Sequence, residues 1–143
     1  MVKKAVKVVL DTNILISGVV FGGKPREILE MTKTRDIQGV ISPVLLAELG
    51  EVLSKKFNYP KLRVLQVENK IRKIFRIVHP INQISIVRDA DDNRVLEAAI
   101  EGKCQFVVTG DEDLLELKNY KGIKILSPTE FLREEVWKTE VLT

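Results

Sequence analysis

Ala5-Val6-Lys7-Val8-Val9-Leu10-Asp11 is the stretch on which the fold turns. Its nearly unbroken apolar run suits a strand buried on both faces, as parallel sheets require, and it stops at a carboxylate. The same event recurs along the chain. Phe106-Val107-Val108-Thr109 is followed by Asp111, and Ile84-Ser85-Ile86-Val87 by Asp91-Asp92. Gly39-Val40-Ile41 leads through Ser42-Pro43 into a helix that carries Glu48. In an open parallel sheet, ligands bind beyond the carboxyl ends of the strands. Carboxylates gathered there repel one another unless a cation lies among them. The pattern points to a divalent-metal site.

Helical periodicity fills the gaps between these strands. Residues 13–21 read as a helix ending at Gly22-Gly23, and Pro25 sits in the first turn of the next, which runs to Lys33. After a strand at 38–41, Ser42 as cap and Pro43 as first residue open a helix to about Lys56. Leu45, Leu46, Leu49, Val52 and Leu53 share one face of it at roughly 100° per residue. Glu48 lies at the border of that face, open to a cleft or to solvent, and Glu51 lies well outside it. Asn58-Tyr59-Pro60 is a break, and residues 61–77 read as a helix. A third strand is expected at 84–87, then a helix capped by Asp91 or Asp92 and ended by Gly102. A strand at 106–109, a short helix from Asp111 to Leu117, a strand at 123–126 and a last helix from Pro128 to Trp137 complete the order. Strands alternating with helices predict an α/β fold: three layers, α/β/α, around a mostly parallel sheet of about five strands. The 143 residues are expected to form a single domain, 1–143.

Composition removes several alternatives. The chain is 45% hydrophobic and 30% charged, as a globular protein should be. Cys104 is the only cysteine, so an internal disulfide or a cysteine-rich zinc site is excluded. The only histidine, His79, adjoins Pro80 in an expected loop, which leaves no basis for a His base or a His-rich metal site. No apolar run approaches the roughly 18 residues of a membrane span. The apolar start of the chain runs straight into Asp11, which suits a strand better than a signal peptide. A cytoplasmic protein without membrane contact is expected. Neither G-x-G-x-x-G nor G-x-x-x-x-G-K-[ST] is present. The formal net charge of +3 combines with clustered acids only if the excess cations lie elsewhere.

Each acid also has a plain structural explanation. Asp at a helix start accepts from free backbone amides and suits the positive end of the helix. That accounts for Asp91 better than catalysis does, and for Asp92 and Asp111 equally well. Asp11 directly ends a hydrophobic strand and is followed by Thr12-Asn13, which already offer capping groups. Glu48 is not at a helix end, so capping cannot explain it. As a set, the acids fit Mg²⁺ or Mn²⁺, which favour oxygen ligands and leave room for water and phosphate.

Four stretches resemble the motifs of PIN-domain ribonucleases, in the family's order. They are Val8-Val9-Leu10-Asp11-Thr12-Asn13-Ile14-Leu15, Ser42-Pro43-Val44-Leu45-Leu46-Ala47-Glu48-Leu49, the Asp89-Ala90-Asp91-Asp92-Asn93 run with its helix to Ala99, and Val107-Val108-Thr109-Gly110-Asp111-Glu112-Asp113-Leu114. With Ile125 to Leu132 they cover nearly the whole chain. The match is closest to small prokaryotic, VapC-like PIN proteins that act as toxins of toxin–antitoxin pairs. The resemblance implies a PIN-like fold and metal-dependent endoribonuclease activity, a hydrolysis of RNA phosphodiester bonds. It implies that Asp11, Glu48, Asp92 and Asp111 hold Mg²⁺ or Mn²⁺, with Asp91 and Asp113 as competitors for the third and fourth places. Thr12 or Asn13 would steady the site, and Thr109 would orient the fourth carboxylate. Lys24, Arg26, Lys55 and Lys56 lie on segments that could flank RNA, although solvated surface charge explains each. RNA, an antitoxin protein and a second copy of the chain in a homodimer are the implied partners. Two other readings stand beside this one: a non-catalytic PIN-like module that binds RNA or protein, and a receiver-type phosphoacceptor domain. The receiver type wants a Lys after strand five, where Leu126-Ser127-Pro128 stands.

Overall fold

The computed structural model describes residues 5–134. The chain alternates as β1 (Val6–Leu10), α1 (Thr12–Val20), α2 (Gly23–Lys33), β2 (Ile37–Ile41), α3 (Pro43–Phe57), α4 (Lys61–Ile74) and β3 (Arg76–Ile77). It continues with α5 (Ala90–Glu101), β4 (Phe106–Val108), α6 (Glu112–Leu117), β5 (Asn119–Tyr120), β6 (Ile123–Leu126) and α7 (Pro128–Glu134). Helices cover both faces of one sheet, giving the expected three layers. The strand order is β3-β2-β1-β4-β6-β5. Every pairing is parallel except β5 with β6.

The order reverses between β1 and β4, and that is where a parallel sheet opens a crevice at its carboxyl edge. Leu10 pairs with Val108, and the Asp11 N–H donates to the Val108 carbonyl at 2.9 Å. Asp11 and the segment after β4 therefore leave the sheet side by side. Val8, Val9, Val107 and Val108 have no solvent exposure, which is why these strands are apolar on both faces.

Helix starts follow the expected chemistry with one correction. Ser42 Oγ accepts from the Leu45 N–H at 3.4 Å, and Pro43 follows it as the first residue of α3. Asp111 caps α6. The cap of α5 is Asp89, whose Oδ1 accepts from the Asp91 N–H at 2.9 Å, and not Asp91 or Asp92. Both of those lie in the first turn instead.

Three other expectations change. The third strand is not at 84–87. It is Arg76–Ile77, the stretch that periodicity assigned to the end of the preceding helix. That helix stops at Ile74 because Phe75 turns extended (φ −99°, ψ 146°). The Phe75 ring then lies where Gly39 has no side chain: a Cβ there would meet it at 2.6 Å. Residues 84–87 form an irregular segment whose backbone is held by side chains of α5. Ile84 and Val87 are half-buried, and that half-burial produced the strand-like apolar signal. The sheet has six strands, because the two-residue β5 adds an antiparallel edge too short to leave a periodic trace. The expected end of the last helix, residues 135–137, and the tail lie outside the described residues. Among the described residues, no helix is long and apolar enough to cross a membrane.

Candidate active site

Asp11 is buried at 7% exposure, and its Oδ2 accepts a hydrogen bond from Thr109 Oγ1 at 2.7 Å. Burial raises its pKa; the Thr109 hydroxyl and the amides of Thr12 and Asn13 oppose that, and the Asp111 charge adds to it. Thr109 Oγ1 in turn accepts from the Asp111 N–H at 3.0 Å. Thr109 thus orients the first carboxylate directly and the fourth only through its backbone. This corrects the expectation that Thr109 aligns the Asp111 carboxylate. That carboxylate faces its own helix, where Oδ1 accepts from the Asp113 and Leu114 amides at 2.9 and 3.2 Å.

Asp92 is 6% exposed, and its Oδ2 is buried without a hydrogen-bond partner. Its pKa is pushed up to about 7, first by burial, then by the Asp111 charge and a hydrogen bond shared with Asp111, then by Asp11 and Asp89. One oxygen each from Asp92, Asp111 and Asp113 lies within 4.8 Å of the others. Asp113 also faces Arg88 at 4.0 Å, across a side chain that is 92% exposed.

Glu48 approaches from α3, half-buried, and Thr12 Oγ1 donates to its Oε2 at 3.1 Å. Its pKa is raised by burial and by Asp91, Asp11 and Asp89, against the Thr12 hydroxyl. Of the two candidate supports, Thr12 makes the side-chain contact and Asn13 is exposed. Asp91 is exposed and lines a cleft of about 650 Å³ with Glu48, Glu51, Lys55 and Lys56. Asp92 therefore sits with Asp111 and Asp113, while Asp91 stands at the mouth beside Glu48.

The four expected basic residues separate. Lys55 and Lys56 reach the cleft, although Lys55 is paired to Glu51 at 2.8 Å. Lys24 Nζ donates to Thr129 Oγ1 at 3.2 Å. Arg26 is committed elsewhere: it donates to the Gly18 and Val19 carbonyls at 2.8 and 3.1 Å, closing the last turn of α1. Those bonds give Arg26 a structural role in α1, and its side chain stays exposed.

Sequence reasoning missed the residues that hold the third motif in place. Asn93, buried at 4% exposure, accepts from the Ile86 and Val87 amides at 3.0 and 2.9 Å and donates to the Val87 carbonyl at 2.8 Å. Glu97 accepts from the Ile84 amide and pairs with Arg94, both within 2.8 Å. The available signal was polar residues at i and i+4 on the inner face of an amphipathic helix, where apolar ones would be ordinary.

The donor set suits a hard divalent cation. It offers carboxylate oxygens only, three of them within 4.8 Å of one another, and no amide, hydroxyl or cation hydrogen-bonds the buried Asp92 Oδ2.

A sequence profile described as the PIN domain matches residues 7–113. The chain belongs to the PIN-domain family. A curated relative, the uncharacterised protein MJ1680 of Methanocaldococcus jannaschii, is 36% identical over 94% of both chains. Among solved structures, this PIN domain is similar to VapBC2 from Rickettsia felis bound to a promoter DNA fragment (TM-score 0.58, 18% identity, 83% of this chain and 96% of that one). It is similar also to VapC20 of Mycobacterium tuberculosis, a toxin that cleaves the sarcin-ricin loop (TM-score 0.56, 12% identity, 82% and 98% covered). PAE2754 from Pyrobaculum aerophilum gives a TM-score of 0.59 at 16% identity, with 90% and 88% covered. At these identities the likeness is one of fold. The matched residues run from β1 to Asp113 and so include every acid described above.

Proposed function

We propose that this PIN domain is a Mg²⁺- or Mn²⁺-dependent endoribonuclease that hydrolyses RNA phosphodiester bonds. The observation that carries the reading is the gathering of Asp92, Asp111 and Asp113 oxygens at the buried Asp92 carboxylate, with Asp11, tied to Thr109, close enough for its charge to act on Asp92. Asp11, Asp92 and Asp111 would hold the ion, Glu48 would complete the site across the cleft, and Asp113 is a further oxygen donor. Such an ion supplies a water nucleophile at neutral pH and neutralises charge on the leaving oxygen. The protein's own groups do the rest. Thr109 and Thr12 fix the Asp11 and Glu48 carboxylates, and the Asp111 N-cap fixes the rotamer of its side chain. The cleft along α3 gives an extended strand a path to the acids, with Lys55 and Lys56 at its far end.

A toxin role with a protein antitoxin partner is supported by the VapC-type structural relatives, and a cytoplasmic, single-domain homodimer accords with it. Co-expression with a small protein from the adjacent reading frame should relieve growth arrest, and light scattering should give twice the mass of one chain. The activity is tested by incubating defined RNAs with wild type and Asp11→Asn in Mn²⁺. Wild type should cut and the variant should not, while Glu51→Gln, which lines the cleft but is assigned no metal, still cuts. Equal cutting by wild type and Asp11→Asn would end the assignment. Tight RNA binding without cutting by wild type would favour the non-catalytic reading.

A further inference from the structure

The carboxyl ends of the strands carry acids, and the amino ends carry cations. Arg35 precedes β2, Lys73 lies in the last turn of α4, and Arg76 opens β3. With Thr32 and Gln38 they wall a pocket of about 230 Å³ that no carboxylate lines. Among the described residues, none of the three pairs its side chain with an acid. Lys7 of β1 extends the same edge, since it is in register with Gln38 of β2.

Cations at helix C-termini complement the helix dipole, which accounts for Lys73 and Arg35. It does not account for Arg76, which starts a strand, nor for three cations lining one concavity with no acid among them. Like charges sharing a pocket disfavour one another unless an opposite charge joins them. The ligand that suits three donors and no acceptor carboxylate is a phosphate group. Arg35 and Gln38 stand at the amino end of five-residue β2, about 13–16 Å along the sheet from its carboxyl end at about 3.3 Å per residue, while Arg76 pairs with Val40 and reaches the pocket from one residue short of that end.

We infer that the Arg35–Lys73–Arg76 pocket is a second, phosphate-binding site that takes a backbone phosphate of the RNA several nucleotides from the bond that is cut. The assignment of the phosphate to RNA rests on the ribonuclease reading. The site makes long RNA bind more tightly than short RNA and adds to the salt dependence of binding.

The test compares Lys73→Gln/Arg76→Gln with its parent, both carrying Asp11→Asn so that RNA survives. Fluorescence anisotropy should show long single-stranded RNA bound roughly tenfold more weakly by the double variant at low salt. The slope of log affinity against log salt should fall by about 1.4, two contacts at about 0.7 each. A trinucleotide should bind both proteins alike. Inorganic phosphate and long RNA should both move the Arg35, Gln38 and Arg76 amide resonances of the parent, and neither should move them in the double variant. Unchanged affinity and slope for long RNA would overturn the inference. Phosphate moving these amides while long RNA leaves them still would overturn the assignment to RNA. With Asp11 restored, a protein that binds RNA through this pocket yet never cuts it in Mn²⁺ sinks the ribonuclease reading and leaves the pocket standing. With Asp11 restored, cutting of long RNA at sub-saturating concentration that is the same with and without Lys73→Gln/Arg76→Gln does the reverse.

Discussion

Asp92→Asn should make the protein more stable in EDTA at alkaline pH, although it removes a residue assigned to the site. The side chain is buried beside Asp111, and burial with Asp111 and Asp11 pushes its pKa from 3.8 to about 7. A carboxyl raised on folding binds its proton more tightly in the folded state. Its contribution is therefore most favourable at low pH and is lost as pH rises from about 4 through about 7. A pKa moved that far corresponds to about 4 kcal/mol. The open mouth of the site lets solvent screen the neighbouring charges, so about 1–3 kcal/mol is expected. The nearly isosteric amide carries no charge to desolvate and can donate to Asp111. Urea unfolding in EDTA at pH 5 and pH 8 measures the effect. Wild type should lose about 1–3 kcal/mol between the two relative to the variant. Saturating Mn²⁺ at pH 8 should reverse the order: a ligand at one hundred times its Kd adds about 2.7 kcal/mol, and only wild type should gain it in full. A variant less stable than wild type in EDTA at pH 8, or one with the same Mn²⁺ gain, would refute the acid-cluster reasoning.

Thr109→Val should weaken Mn²⁺ binding by roughly tenfold or more by calorimetry, with Thr109→Ser restoring most of it, because the hydroxyl that holds Asp11 is what matters. Asn93→Leu should destabilise by about 1–3 kcal/mol in urea unfolding, since three part-buried loop groups lose their partner; hydrogen exchange at Ile86 and Val87 should accelerate. Gly39→Ala should cost about 1–3 kcal/mol by the same assay, because its Cβ would overlap the Phe75 ring at 2.6 Å.

Much of the site was legible before any coordinates. An apolar run ending at Asp11, and another ending at Thr109 before Asp111, mark the carboxyl ends of buried strands, and the hydrophobic effect makes that signal strong. The choice between Asp91 and Asp92 was partly legible too. Val95, Leu96 and Ala99 follow Asp92 at helical spacing, and the helix does turn Asp92 inward and Asp91 outward. The cap of α5 was not legible, because Asp89, Asp91 and Asp92 are all competent caps and only the backbone path selects one. The edge strands were illegible for a similar reason. Two residues carry no period, and Arg76–Ile77 pairs with β2 only because Phe75 finds space over Gly39.

Local chemistry along the chain was enough to specify alternating elements, buried central strands and acids at their ends. Which hydroxyl meets which carboxylate was decided by strand register. Leu10 beside Val108 places Thr109 against Asp11, although they are 98 residues apart. The same packing drew Arg26 into closing α1 and gathered Arg35, Lys73 and Arg76 at the far edge. Periodicity constrains which face a residue takes, whereas a contact between distant segments exists only once the whole sheet has chosen its order.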